Sequence, residues 1–145
     1  MNEFDREHND IFWYQMRNYW KTLFYYLASI NCDFFDFLPK FFHSNFVHNC
    51  DIRNPYYTSM FWYPLLLHLK EKEGITVETT DHQILNLILS RWVADFYVSA
   101  MHYLKMDGSE VYDKIPLETL LDIYPGIHDK PIQIILQEMH ERGTL

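Results

Sequence analysis

The run from Asp81 to Met106, "DHQILNLILSRWVADFYVSAMHYLKM", constrains the fold more than any other part of this chain. Wound as a helix that Thr80 or Asp81 starts and Gly108 closes, it carries apolar side chains almost all the way round. Leu85, Leu89, Trp92, Val93, Phe96, Ala100 and Leu104 cover most of its circumference, and Ile88 and Met101 fill much of the rest. Only a narrow polar stripe remains, through Arg91, Asp95, Ser99 and His102. Arg91 and Asp95, four apart, are spaced to pair with each other. A helix apolar on nearly every side is stable in water only when other elements cover it. The sequence therefore predicts an all-α fold, a single-domain helical bundle of about five to six helices around a buried central helix at 81–106, spanning residues 1–145.

Other helices are legible around it. Asn9 or Asp10 is placed to cap a helix reaching about Ile30, in which Phe12, Met16, Tyr19, Leu23, Leu27 and Ile30 share one face. Tyr14, Arg17, Lys21 and Tyr25 share another, cationic and aromatic together. The stretch "DFFDFLPKFF", Asp33 to Phe42, holds five phenylalanines around Pro39. Proline removes a helical hydrogen bond, so two short turns meeting at Pro39 are expected, capped by Asp33 and wedged as core filling between longer helices. Asn54-Pro55 has the form of a cap followed by proline at the first helical position, starting a helix that Pro64 kinks and Gly74 ends. Ile75 to Val77 reads as a brief extended piece with no obvious partner. Two shorter helices follow, Pro116 to Tyr124, broken at Pro125-Gly126, and a last one capped by Asp129 and ended by Gly143.

Charge and aromatic content divide the chain. Of its 26 Phe, Trp and Tyr residues, 20 lie in residues 1–63, whereas residues 64–145 hold 13 of the 20 acids against 7 Lys and Arg. The formal net charge of -8 repels phosphate backbones and draws in basic partners. Nucleic acid is therefore excluded as the expected partner. Two cysteines, Cys32 and Cys50, are too few for a disulfide framework, and reduced thiols in a cytoplasmic protein are expected. Arg91, Asp95 and His102 interrupt the most apolar long stretch, so no membrane span is predicted.

Signatures of catalysis are missing from the sequence. The four glycines, at 74, 108, 126 and 143, build neither a phosphate loop nor a dinucleotide fingerprint. No Gly-x-Ser-x-Gly elbow, Glu-x-x-His pair or His-Glu-x-x-His motif occurs. Cys32, His43, His48 and Cys50 offer two sulfurs and two nitrogens, the ligand types zinc prefers, but neither cysteine has a near cysteine partner. The histidines sit among phenylalanines and read as hydrogen-bonded interior residues. The expectation is no enzyme, no cofactor and no metal.

Two features bear on binding. "IPLETLLDIYPGIHDKPIQIILQEMHERGTL", Ile115 to Leu145, resembles the helical part of a winged-helix domain, including those of ESCRT-II-type membrane-remodelling subunits. The resemblance implies a structural subunit joined to an assembly through this helix pair. A DNA-reading second helix would be basic, and Glu138 and Glu141 here balance Lys130 and Arg142. The other feature is an acidic segment with six carboxylates, Asp107, Glu110, Asp113, Glu118, Asp122 and Asp129, among which Lys114 is the sole Lys or Arg. Its plain reading is a solvated surface with a capping aspartate. Its functional reading is a patch, at Asp107, Glu110, Asp113, Glu118 and Asp122, that steers a basic protein into contact. A small acidic helical chain without catalytic motifs has the profile of immunity proteins that neutralise nuclease-type toxins by occlusion. Surplus rings such as Trp13, Tyr14, Tyr25, Tyr56 and Tyr57 would seat such a contact. A groove that binds a partner helix, as in viral apoptosis inhibitors, is the further alternative.

Overall fold

The computed structural model describes residues 3–50 and 61–145, with residues 3–9 as backbone alone. All regular structure among them is helical. The described residues form eight helices: α1 (Glu3–Ser29), α2 (Phe34–Phe42), α3 (Asn45–His48), α4 (Trp62–Glu73), α5 (Leu87–Leu104), α6 (Gly108–Lys114), α7 (Leu117–Ile127) and α8 (Ile132–Glu141). The most extensive packing is between α1 and α5, and α5 also meets α6 and α8. Among the described residues no helix is long and apolar enough to cross a membrane.

α1 buries the face its spacing dictates, with Phe12, Met16, Leu23 and Leu27 in the core and Trp20 and Phe24 widening the stripe. Ile30 falls outside it, 37% exposed. The helix starts before Asn9 and Asp10, which lie inside it. Asn31 ends it in the left-handed conformation at φ 57, as asparagine commonly does after a helix.

α2 runs unbroken through Pro39, contrary to the expected pair of turns. Asp33 caps it as expected, with its Oδ1 accepting the Asp36 N–H at 3.3 Å. Burial explains the continuity. Phe34, Phe37, Leu38, Phe41 and Phe42 are all buried, each worth about 1.5–3 kcal/mol, and together they outweigh the roughly 3 kcal/mol an interior proline costs. The carbonyl that Pro39 leaves without a donor belongs to Phe35, the one phenylalanine of the helix that is exposed. The break comes at Ser44 instead, whose side chain accepts the Val47 N–H and starts α3.

The rings of α2 form a continuous path across the molecule. Phe41 meets Trp20 of α1 edge-on at 5.0 Å between centroids, Phe42 lies 4.8 Å from Tyr97 of α5, and Phe42 stacks on Tyr112 of α6 at 5.1 Å. The phenylalanine-rich stretch is thus core filling between α1 and the later helices.

The proposed cap at Asn54-Pro55 lies outside the described residues. Pro64 stands in the first turn of α4, where proline is tolerated, and Gly74 closes that helix at φ 67. The extended piece that follows finds a partner in the turn after α1. The Asp33 N–H donates to the Glu78 carbonyl and the Thr80 N–H to the Asn31 carbonyl, both at 2.8 Å, around one antiparallel bridge between Cys32 and Thr79.

α5 is shorter than the 81–106 span expected. Asn86 caps it, accepting the Leu89 N–H at 2.8 Å, while Thr80 bonds the His82 carbonyl in a turn. Lys105, left-handed at φ 53, ends it, and Gly108 belongs to α6. From Val93 to Met101 every residue except Asp95 is buried. Near its start, Ile88 is 81% exposed, so the apolar encirclement read from sequence does not translate into burial there. The tail departs at two points. α7 continues through Pro125 and Gly126, and Pro131, not Asp129, occupies the cap position of α8. The described residues hold no strand, so no wing stands beside this helix pair, and α8 packs on α5.

Candidate functional site: an acidic face on α6 and α7

α6 exists because Asp107 caps it. Asp107 Oδ1 accepts from the Ser109 N–H at 3.0 Å and from the Ser109 hydroxyl at 2.9 Å. Its other oxygen, Oδ2, lies 2.9 Å from His48 Nδ1. Burial pushes the Asp107 carboxyl upward, but the Ser109 bonds and His48 outweigh it and hold the group below its ordinary value. The helix buries Val111 and Tyr112 and turns Glu110 and Asp113, three apart, to one side.

α7 joins it at Ile115-Pro116 through a fixed corner. The Tyr97 hydroxyl donates to the Ile115 carbonyl at 2.8 Å, and the Leu117 N–H donates to the Tyr112 hydroxyl at 3.4 Å. Burial raises the Tyr112 phenol to about 12, and the negative charge of Glu118 adds to the rise. Glu118 and Asp122, four apart and both exposed, share the outward side of α7, while Leu117 and Leu120 turn inward.

The five expected acids therefore divide in two. Asp107 and Asp113 are engaged by histidines, His48 at 2.9 Å and His43 Nε2 at 2.8 Å. Glu110, Glu118 and Asp122 are exposed, and among the described residues no Lys or Arg pairs with them. His43 and His48 are a correction to the sequence reading, for both are exposed and hydrogen-bonded to carboxylates rather than interior. No local pattern marks those pairs, whose members lie 70 and 59 residues apart.

The cysteine–histidine set does not converge. Cys32 is buried beneath Asp33 and Asp36, and its thiol is raised to about 12 by burial first and those acids second. Burial and Asp107 push the Cys50 thiol up as well. Among the described residues no group of three or more His, Cys, Asp or Glu is placed to hold a metal ion.

The two polar stripes of α1 and α5 meet as a seam. Lys21 pairs with Asp95 at 3.5 Å, and Arg91 lies over the Tyr25 ring at 5.8 Å. Arg91 and Asp95 thus take partners across the seam rather than each other, because α1 offers a cation to the acid and a ring to the guanidinium. Farther along, Trp13 stacks on His102 at 5.2 Å, with Arg17 3.4 Å and Asp10 3.8 Å from its ring nitrogens. Burial and Arg17 lower the His102 pKa below 6.5, and Asp10 opposes them. Of the surplus rings, Tyr14 and Tyr25 are exposed and Trp13 half-buried, while Tyr56 and Tyr57 lie outside the described residues. Comparison with known proteins returns no match: no family model fits the chain, and neither a curated protein nor a solved structure is detectably similar.

Proposed function

We propose that the protein is a non-catalytic binding protein that docks a basic protein partner on the outward side of α6 and α7, as an immunity-type inhibitor occludes a nuclease-type toxin. One observation carries this reading. Glu110, Glu118 and Asp122 stand exposed without a Lys or Arg partner among the described residues, on two helices joined by a hydrogen-bonded corner. Exposed carboxylates without a Lys or Arg partner, on a chain of net charge -8, attract cationic surfaces over long range and mimic the phosphates such a partner would bind. Asp113 extends the surface, and Asp107 anchors it from the cap of α6.

Affinity capture from the native cells, followed by zero-length carbodiimide coupling, tests this directly. The reagent joins carboxylates to amines in contact. The expected result is a basic protein whose lysines couple to Glu110, Glu118 or Asp122. Recovery of a partner that couples only elsewhere, or of an acidic partner, contradicts the proposal.

A further inference from the structure

A groove opens on the opposite kind of surface, between the last turns of α1, the exposed side of α4 and the extended piece after Gly74. It encloses about 320 Å³. Tyr26 and Trp62 stack at 3.9 Å between centroids to form one wall. Leu66, Ile75 and Val77 are half-buried along it, and Tyr63, at 63% exposure, stands at its edge. Polar groups are few. Thr76 donates its hydroxyl to Glu78 at 3.2 Å, which leaves Lys70 as the cation lining the groove. Lys70 is exposed, and among the described residues no carboxylate pairs with it. The nearby Glu73 is committed elsewhere, accepting the Asn45 and Phe46 N–H groups at 2.6 and 3.1 Å.

Sites for small ligands have this composition: mostly apolar and aromatic walls, one or two placed polar groups, and volumes from roughly 300 to 1,000 Å³. The volume here is at the low end of that range, enough for one short chain or ring system. We propose that the groove binds a small apolar monocarboxylate, its hydrocarbon part against Tyr26, Trp62 and Leu66 and its carboxylate at Lys70. The free ammonium selects the head group, since a neutral or cationic head gains nothing from it. This site is separate from the acidic face and stands or falls independently of it.

The test uses dodecanoate below its micelle concentration, with dodecanol and dodecyltrimethylammonium as head-group controls, read by amide chemical shifts on the full chain. Dodecanoate should saturate one site, with shifts confined to residues 26–30, 62–70 and 75–77. Lys70→Gln should weaken it roughly two- to fivefold, the worth of one partly exposed ion pair. Lys70→Glu should weaken it further and turn the preference toward the alkyl cation. Both variants change an exposed side chain, and matching thermal melts establish that they fold. Absence of saturable binding, shifts centred elsewhere, or equal binding of all three head groups unaffected by either variant overturns the proposal. So does an amphipathic leucine–glutamate peptide helix that occupies the groove where dodecanoate does not.

Discussion

A Cβ added at Gly108 would lie 2.6 Å from Val47 Cγ1 and 3.2 Å from Phe42 Cδ1, so α6 reaches α3 and α2 only because this residue has none. The sequence suggested a different role, a helix-ending glycine, since Gly108 follows the long apolar run. A glycine's two uses, a left-handed turn and a close approach, look identical in sequence. Gly108→Ala should destabilise the protein by about 1–3 kcal/mol, the usual cost of overpacking a core. Val47→Ala in the same chain should recover part of that loss, because it removes the clashing methyl. Chemical denaturation of the two single variants and the double one measures the coupling. Strictly additive losses would mean that the two residues do not touch. His102 offers a second residue-scale check. Its folded pKa lies below 6.5, so the unfolded chain takes up its proton first as the pH drops. Stability linked to His102 is therefore present above pH 6.5 and lost as the pH falls through the folded value. Melting temperatures between pH 7 and pH 5 should fall further for the wild type than for His102→Gln.

Elements differ in how clearly the sequence announces them. α1 and the buried part of α5 are legible because amphipathic periodicity records burial directly. Their ends are not, since caps depend on single side chains that several nearby residues could supply. Thr80, Asp81 and Asn86 all have cap chemistry, and Asn86 alone meets an amide three residues on, at 2.8 Å. Asn86→Ala should cost about 1 kcal/mol, whereas Asp81→Ala should be nearly neutral. Equal losses at the two positions would restore the longer helix. Pro39 shows the same limit from the other side, because local propensity cannot register the tertiary burial that carries α2 through a proline. α6 leaves no mark in the sequence because Gly108–Lys114 is too short for a periodic signal, although Asp107 and Ser109 hold its start.

At the scale of the whole molecule, the aromatic half and the acidic half read from sequence take separate work. Rings from α1 and α2 reach Tyr97 and Tyr112 and fill the core, while the carboxylates of α6 and α7 remain outside. The acids were legible because charge needs no partner to be counted. Their histidine pairs were not, since only the fold brings residues 43 and 48 to 113 and 107. The central claim is that this face steers a basic partner, and the association rate tests it most directly. Attraction of this kind is screened over about 8 Å at physiological salt. With the captured partner, Glu110, Asp113, Glu118 and Asp122 reversed together to lysine should slow association about tenfold or more at low salt. Raised salt should slow the wild type and spare the reversed protein. A reversed protein that keeps its helical circular dichroism and binds at the wild-type rate, unaffected by salt, would contradict the account.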